Sequence, residues 1–293
     1  MFGKKIQLTF FCIIILVISY FTYFRNFQYP ANLFWDENYH IASAQKYLSG
    51  VFFMEPHPPL GKLFIALGEK IIAPNKHIDT SGFLTTDYIK NVPVGYSFSG
   101  VRFFPTLFAT LSAGVFFLIL YNLSGRAFLS FLFTSFYLFD NAIITHSRSA
   151  MIESTQIFFV LLLLWKMTYC INQIRDHKKS SIFWYGVLGI LYGLVVSSKL
   201  NGIILGFILI ILFAAEFYYL RRQKNKIIHF FIKGFVFFLC AGVIFAGVYL
   251  IHFSLAKKPL HDRYYEASGQ YKTLIKSKKQ IGLPQLILIF KEH

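Results

Sequence analysis

Long apolar runs recur along the chain, and short polar connections separate them. Runs of about 20 apolar residues predict membrane-spanning helices, because lipid offers backbone polar groups no partner outside their own helix. We predict seven spans, at residues 6–24, 96–121, 127–145, 152–171, 183–198, 201–220 and 229–253. The expected fold class is therefore all-α, a polytopic transmembrane helical protein.

The polar interval between the first two spans, residues 25–94, also contains helical patterns. Asp36 stands where one helix would begin, and Ser49-Gly50 would end it. Pro58-Pro59 predicts the start of a second helix. Both helices are amphipathic and too short to cross a bilayer, so we expect them to lie in its interface. They are predicted at about residues 37–48 and 60–72.

Basic residues cluster in connections that lie on one side of the membrane if the seven spans alternate in direction. These connections contain Arg126, then Arg175, Lys178 and Lys179, then Arg221, Arg222, Lys224 and Lys226. The positive-inside rule makes that side cytoplasmic, and Lys4-Lys5 place the N-terminus there too. Residues 25–94 and the active site are then expected on the periplasmic side of the inner (plasma) membrane. The Lys-rich tail, residues 254–293, is also placed outside, against the rule.

The composition supports a membrane protein and weakens other classes. Of the 293 residues, 56% are hydrophobic and 14% are charged, whereas soluble domains carry about 25% charged residues. The formal net charge of +16 would suit nucleic acid binding, but the basic residues lie between apolar runs, so no nucleic acid partner is expected. The first run is long for a signal peptide and no small-residue cleavage site follows it, which favours a retained anchor.

Charged side chains recur at the predicted outer ends of the spans, where ionisable groups are costly and need a partner or a task. They are Arg102, Asp140, His146, Arg148, Glu153 and Lys199. A lipid-phosphate sugar would present its phosphate at this level, where Arg and Lys could bind it and stabilise the departing group. Asp36 could take the proton from an incoming hydroxyl, and a single displacement would invert the anomeric centre.

Each of these residues also has a simpler interpretation. Asp36 could cap a helix, and His57, between two prolines, could hydrogen-bond in a turn. Any one of the cations could be an interfacial side chain whose stem lies along the apolar surface. Glu153 could pair with Arg148 in a structural role. His40, one helical turn after Asp36, is expected to orient or neighbour that carboxylate rather than bind a metal.

The ordered set of these residues resembles the protein O-mannosyltransferase family and its bacterial relatives, the phospholipid-carrier-dependent glycosyltransferases of GT-C type. The motifs that carry the resemblance, from about residue 5 to 255, are Asp36-Glu37, His57-Pro58-Pro59-Leu60-Gly61-Lys62, Arg102, Asp140-Asn141-Ala142 through Arg148, and Ser198-Lys199. The resemblance implies an inverting transfer from a polyprenyl-phosphate sugar, with Asp36 as the catalytic acidic residue and Arg102 near the donor. Where relatives commonly have Leu-Leu-Asp, this chain has Met151-Ile152-Glu153. Relatives also continue through further spans after about Ser254.

These patterns and the resemblance together predict a membrane glycosyltransferase that moves a mannose-like sugar to a hydroxyl acceptor, a protein Ser or Thr in the leading hypothesis. Residues 1–253 would form a GT-C-like transmembrane domain with a catalytic loop at 25–94, followed by a basic outer tail at 254–293. We predict Asp36 and Glu37 as catalytic residues, and substrate-binding roles for His57, Arg102, Asp140, Arg148, Glu153 and Lys199. No metal ligand is assigned, although Asp36 with Asp140 or Glu153 could share a divalent ion.

The expected partners are the lipid-linked sugar donor, a protein or glycan acceptor, the membrane, and a partner chain that supplies further C-terminal spans. Two alternatives stay open: transfer to lipid A or a cell-wall glycan, and a truncated non-catalytic protein that binds the lipid carrier. A transporter is disfavoured, because the sequence shows no internal repeat and its polar groups lie at one face rather than at mid-membrane.

Overall fold

The chain folds into a bundle of helices whose positions follow the apolar pattern. A computed structural model describes residues 2–53, 55–176, 181–219 and 226–255. Its α-helices are α1 (Phe2–Ser19), α2 (Glu37–Ser49), α3 (Leu60–Ile72), α4 (Ser99–Ser124), α5 (Ala127–Leu138), α6 (Asn141–Ser147), α7 (Ile152–Arg175), α8 (Ile182–Ser198), α9 (Ile208–Tyr219) and α10 (Lys226–Leu255). A π-helical turn, Tyr20–Phe24, extends α1, and 3₁₀ segments cover Ser81–Leu84 and Leu200–Phe207. The predicted all-α class is confirmed, and the predicted outer tail lies outside the described residues beyond Leu255.

Five helical segments in the described residues are long and apolar enough to cross a membrane. They are Gly3–Phe24, Ser99–Ser124, Ile152–Arg175, Leu200–Tyr219 and Ile227–Leu255. Helices α5 and α6 together form a sixth candidate that is bent by 65°, and α8 is a shorter apolar helix. The seven predicted runs all fall on helical segments, while length and composition support five spans, or six with the bent pair.

The third predicted span is not one continuous helix. Residues 127–145 were expected to form a single span, but α5 ends at Leu138 and α6 begins at Asn141. The break occurs because Asp140 caps α6: its carboxylate accepts a hydrogen bond from the Ile143 amide at 2.8 Å. Asp140 therefore starts a new helix in a new direction.

Helices α2 and α3 belong to the long connection between α1 and α4. They pack against the end of the bundle where this connection lies, and we call it the loop end. The bounds of α3 match the prediction, and α2 ends at Gly50, whose φ of 70° suits glycine. Lys46 of α2 forms an ion pair with Asp87 at 2.6 Å, and Tyr47 hydrogen-bonds the His252 ring at 2.7 Å. These contacts tie α2 to the following loop and to the end of α10.

Helix α2 is more deeply buried than a helix in the membrane interface would be. Of the predicted apolar face, Ile41 and Ala44 are fully buried and Leu48 is 39% exposed, while most of the polar side chains of α2 are buried as well. The loop before α4 covers the helix, with Phe83, Ile89 and Tyr96 packed in the same core. The amphipathic pattern therefore identified one buried face of α2 and missed the second.

Glycines allow α8 and α10 to approach closely. A Cβ added at Gly189 would lie 2.9 Å from the Phe237 Cα, and one at Gly193 would lie 2.8 Å from the Ala241 carbonyl oxygen. The spacing of Gly189 and Gly193 is that of small-residue contacts between membrane helices. Helices α8 and α10 therefore pack with their backbones in close contact.

We expect Gly189→Ala to destabilise the bundle by about 1–3 kcal/mol, because the new methyl group would collide with the α10 backbone. Gly242→Ala in α10 is the matched control, since an added Cβ there meets nothing within 4 Å. The measurement is the thermal unfolding midpoint of each purified variant in detergent. Equal midpoints for the two variants would contradict the close α8–α10 contact.

Candidate functional site

Hydrogen bonds and ion pairs bring the predicted site residues to the loop end. The Tyr23 hydroxyl donates to the Tyr137 carbonyl at 3.0 Å, which joins the end of α1 to the end of α5. Arg148 donates to the Asn26 carbonyl at 2.8 Å, and Lys199 pairs with Glu153 at 2.9 Å. These contacts gather the ends of several helices around the loop that begins after α1.

A buried ion pair between Glu37 and Arg102 lies at the centre of this region. The Arg102 Nε donates to one Glu37 carboxylate oxygen at 2.7 Å, and the Arg102 Nη2 donates to the other at 2.8 Å. Glu37 is fully buried and Arg102 is 2% exposed. Such bidentate pairs are among the stronger charge-assisted interactions. The pair joins the first residue of α2 to the first turn of α4.

The remaining N–H groups of Arg102 bind backbone carbonyls of the loop after α1. Nη1 donates to Gln28 at 3.2 Å and to Pro30 at 2.8 Å, and Nη2 donates to Asn32 at 2.8 Å. A guanidinium has five N–H donors, and all five are used here. This geometry favours a role for Arg102 in positioning the backbone, while the substrate binding expected of Arg102 stays a prediction.

The Glu37 carboxylate, like the Arg102 guanidinium, uses all of its hydrogen-bonding sites within the fold. Besides the guanidinium, its carboxylate accepts the Phe34 amide at 2.9 Å and the Ala150 amide at 2.5 Å. Four hydrogen bonds fill the acceptor sites of the two oxygens. The buried carboxylate is therefore suited to position the start of α2, while the catalytic role expected for Glu37 stays a prediction.

Asp36 has the opposite environment from its neighbour. Its side chain is exposed, and its carboxylate makes no hydrogen bond or ion pair with any described residue. Asp36 occupies the N-cap position of α2 without a side-chain capping bond. The simpler interpretation of Asp36 as a cap is therefore wrong, and its carboxylate is available for chemistry.

Two histidines lie near this carboxylate in the sequence and differ in burial. His40 is buried, and its Nδ1 has no hydrogen-bond partner. The pKa of His40 is lowered to about 3, mainly by burial and also by the nearby positive charges of Lys62, His57 and Lys199. His40 is therefore neutral near pH 7. His57, in contrast, is exposed at the start of the Pro58-Pro59 turn.

The predicted pairing of Glu153 is wrong in the structure. Glu153 pairs with Lys199, while Arg148 donates to the Thr22 and Asn26 carbonyls at 3.1 and 2.8 Å. Lys199 and Glu153 are each about one-third exposed or less, with side-chain exposures of 26% and 32%. Among the six predicted substrate-binding residues, the His57 side chain is exposed, Arg148 and Lys199 are partly exposed, and Arg102 is buried. Asp140 is exposed but caps α6.

One charged residue of α3, Lys62, belongs to the family motif but was not predicted as a site residue. Lys62 is buried and forms an ion pair with Glu55, which also accepts a hydrogen bond from the Ser43 hydroxyl. Burial lowers the pKa of Lys62 to about 7, while Asp87 raises it and Lys46 lowers it. The contact with Glu55 favours the protonated amine. The position of Lys62 within the motif could have indicated that it belongs to the site. Nothing in the sequence indicated that its side chain is buried.

A large apolar cavity opens beside this charged group. Its volume is about 740 Å³, and it is bounded by α2, α3 and the end of α10, with Leu60, Phe64 and Leu255 in its lining. Tyr47 lines both this cavity and a small polar one that also contains Glu55, Lys62 and His252. An apolar space therefore adjoins buried charge at the loop end.

A divalent metal gains no support from the side chains that the structure describes. Within residues 2–53, 55–176, 181–219 and 226–255, no group of three or more His, Cys, Asp or Glu side chains could hold an ion. Asp140 caps a helix and Glu153 pairs with Lys199, so neither is placed with Asp36 as a ligand.

We expect Glu37→Gln to destabilise the protein by about 3–5 kcal/mol, because Arg102 would be left as a buried cation without its counter-charge. Glu153→Gln is the matched control: its pair with Lys199 is partly exposed, so the loss should be at most about 1 kcal/mol. Unfolding midpoints of both purified variants measure the difference. A similar loss of stability in both variants would contradict the larger contribution expected from the buried ion pair.

Acid sensitivity tests the burial of His40. The unfolded chain takes up a proton near pH 6.5, whereas folded His40 does so near pH 3, so stability falls as the pH drops through this interval. At about pH 5 this costs about 2 kcal/mol. We expect His40→Gln to lose less stability between about pH 7 and pH 5. Exposed His77→Gln is the control, and an unchanged pH profile in His40→Gln would contradict the assignment.

The chain is similar to several known proteins. A family model described as dolichyl-phosphate-mannose-protein mannosyltransferase matches residues 13–257. Dolichyl-phosphate-mannose–protein mannosyltransferase 1 of Candida albicans is 27% identical over 257 residues, which cover 83% of this chain and 28% of that protein. Protein O-mannosyl-transferase 1 of Danio rerio is 24% identical over 267 residues, covering 87% and 36%. The chain thus spans well under half the length of these relatives.

The fold has a solved counterpart. A chain of the S. cerevisiae protein O-mannosyltransferase Pmt1-Pmt2 complex bound to the sugar donor is similar with a TM-score of 0.74 and 18% identity. The match covers 94% of this chain and 37% of that chain. The GT-C type of membrane fold implied by the sequence motifs is therefore confirmed. Because the family model covers most of its length, the chain belongs to the dolichyl-phosphate-mannose-protein mannosyltransferase family.

Proposed function

We propose that this chain carries the catalytic carboxylate of a membrane mannosyltransferase. The donor is a mannose-like sugar on a polyprenyl phosphate, the acceptor is a Ser or Thr hydroxyl of a protein, and the anomeric centre is inverted. The names of the relatives in Candida albicans and Danio rerio support this donor and acceptor class.

The observation that carries the proposal is the different environment of two adjacent carboxylates. Glu37 is buried and accepts four hydrogen bonds, whereas the Asp36 carboxylate is exposed and unpaired among the described residues. A general base needs a free lone pair within reach of the acceptor proton, and it needs a fixed position. Glu37 supplies the fixed position, and Asp36 supplies the lone pair.

The reaction proceeds as a single displacement. The acceptor oxygen forms a bond to the anomeric carbon while the bond from that carbon to the phosphate oxygen breaks. Asp36 takes the acceptor proton, and the phosphate leaves with the bonding electron pair on its carrier lipid. Attack opposite the leaving group accounts for the inversion.

Two features at the loop end suit a lipid-phosphate donor. Lys199 is a partly exposed cation and His57 is an exposed hydrogen-bonding side chain, and both are suited to bind the leaving phosphate. The apolar cavity of about 740 Å³ beside α3 is suited to part of the hydrocarbon chain. In this assignment Arg102 and Arg148 hold the backbone around the site instead of the phosphate.

The proposed topology places the loop end on the periplasmic side of the inner membrane. Basic residues of the opposite connections, such as Arg126 and Arg175, support this orientation. The similar S. cerevisiae structure is a Pmt1-Pmt2 complex of two proteins, which supports a partner chain for this one. Assays should therefore use the chain alone and together with any polypeptide encoded directly downstream.

We expect Asp36→Asn to lower the rate of sugar transfer by about 10²–10⁴-fold, because Asn keeps the shape of Asp but cannot accept the proton. Folding should be unaffected, since the Asp36 side chain makes no capping bond that could be lost. The measurement is transfer of radiolabelled mannose from a polyprenyl-phosphate donor to a Ser/Thr peptide by the purified protein.

Asp79→Asn is the matched control, because Asp79 is an exposed loop carboxylate that bonds the Ser81 amide at 2.9 Å. This variant should transfer mannose at the rate of the unmodified protein. Normal turnover by well-folded Asp36→Asn would remove the base from the proposal. Transfer to a glycan or lipid instead of the peptide would keep the base and change the acceptor.

A further inference from the structure

Trp35 is a prominent exposed aromatic residue next to the proposed base. Its side chain is 71% exposed, and it directly precedes Asp36. The Trp35 ring lies 6.3 Å from the His146 ring and 6.5 Å from the Phe34 ring, measured between centroids. His146 also contacts Phe34 edge-on at 5.6 Å. We call these three rings, Phe34, Trp35 and His146, the aromatic face.

The backbone of Trp35 is strained. Its φ of 48° lies in the left-handed region, which bulky side chains rarely adopt. The Glu37 amide donates to the Phe34 carbonyl at 3.0 Å and closes a turn in which Trp35 is the second residue. Turns with positive φ at this position strongly favour glycine. Tryptophan is therefore a poor choice here for folding.

The strain persists because both ends of the turn are fixed. The Phe34 amide donates to the Glu37 carboxylate, which is itself held by Arg102 and by the Ala150 amide. The turn cannot relax without breaking this buried pair. Strained residues that the surrounding structure over-determines are concentrated at functional sites. Because this exposed indole destabilises the folded state, we infer that it serves a function other than folding.

We propose that Trp35, with Phe34 and His146, forms the surface that binds the acceptor polypeptide. The inference rests on the proposed function, because the acceptor hydroxyl must reach Asp36 and the chain that carries it must pass over the adjacent residue. Trp35 contacts the acceptor backbone and small side chains on either side of the reacting hydroxyl. Indole rings supply a large, rigid contact area at low entropic cost.

An alternative role for an exposed Trp is anchoring at the membrane surface, where aromatic belts are common. That role does not require a strained backbone, and it would be shared by other exposed aromatic residues near the loop end. Phe136, 75% exposed and two residues before α5 ends, provides the comparison. The position of Trp35 beside an unpaired carboxylate favours the acceptor.

The test uses the full chain in lipid nanodiscs and a short fluorescein-labelled peptide rich in Ser, Thr and Ala. Fluorescence anisotropy measures peptide binding without any need for turnover. We expect Trp35→Gly to weaken binding about tenfold, as for a central aromatic contact. Trp35→Phe should retain most of the affinity. Phe136→Ala is the control and should bind the peptide like the unmodified chain.

Stability separates this role from a structural one. Glycine relieves the left-handed strain, so the unfolding midpoint of Trp35→Gly should be unchanged or higher although binding is weaker. A lower midpoint with unchanged peptide affinity would overturn the proposal. So would an unmodified chain that binds no peptide, or one that binds a soluble mannose oligosaccharide instead.

The outcome is distinguishable from a failure of the proposed function. Peptide binding that depends on Trp35, without any mannose transfer, would remove the transferase assignment and leave the aromatic face as a peptide surface. Mannose transfer with the same peptide affinity in Trp35→Gly as in the unmodified chain would remove the aromatic face and leave the transferase.

Discussion

The buried ion pair of Glu37 and Arg102 sets the geometry of the loop end. Removing two charges from water is costly, and the mutual attraction repays this cost when the remaining hydrogen bonds are complete. Here the two carboxylate oxygens accept four bonds and the guanidinium donates all five of its N–H groups. The groups that form these bonds lie in the loop after α1, at the start of α4 and at Ala150. The pair therefore fixes three segments, and the position of Asp36 follows from it.

Local signals in the sequence predicted the helices well. The bounds of α3 and the end of α2 at Gly50 follow from proline and glycine positions, which act within a few residues. The break at Asp140 was missed, because the apolar run continues through it and hides the cap. The second buried face of α2 was missed for another reason: the loop that covers it is distant in sequence.

The candidate site was predicted as a set of charged residues, but their separate roles were not. Asp36 and Glu37 are neighbours in sequence, yet Asp36 is exposed at the N-cap of α2 while Glu37, the first residue of the helix, is buried. Arg102 looked like a phosphate ligand because its partner is 65 positions away. Contacts between residues far apart in sequence decide which charged side chains are paired inside the fold. The periodic pattern of apolar and polar residues does not contain that information.

The energetics of residues 35–37 explain how an exposed site is kept in one conformation. Truncating a buried ion pair costs about 3–5 kcal/mol, whereas a residue held in a sparsely populated backbone conformation costs about 1–3 kcal/mol. The bonds of Glu37 can therefore hold Trp35 at a φ of 48°. Asp36 is held in position between these two residues, although its own carboxylate makes no capping hydrogen bond. Stability is supplied by the buried member of the segment, which leaves the exposed members free for the proposed contacts with substrate.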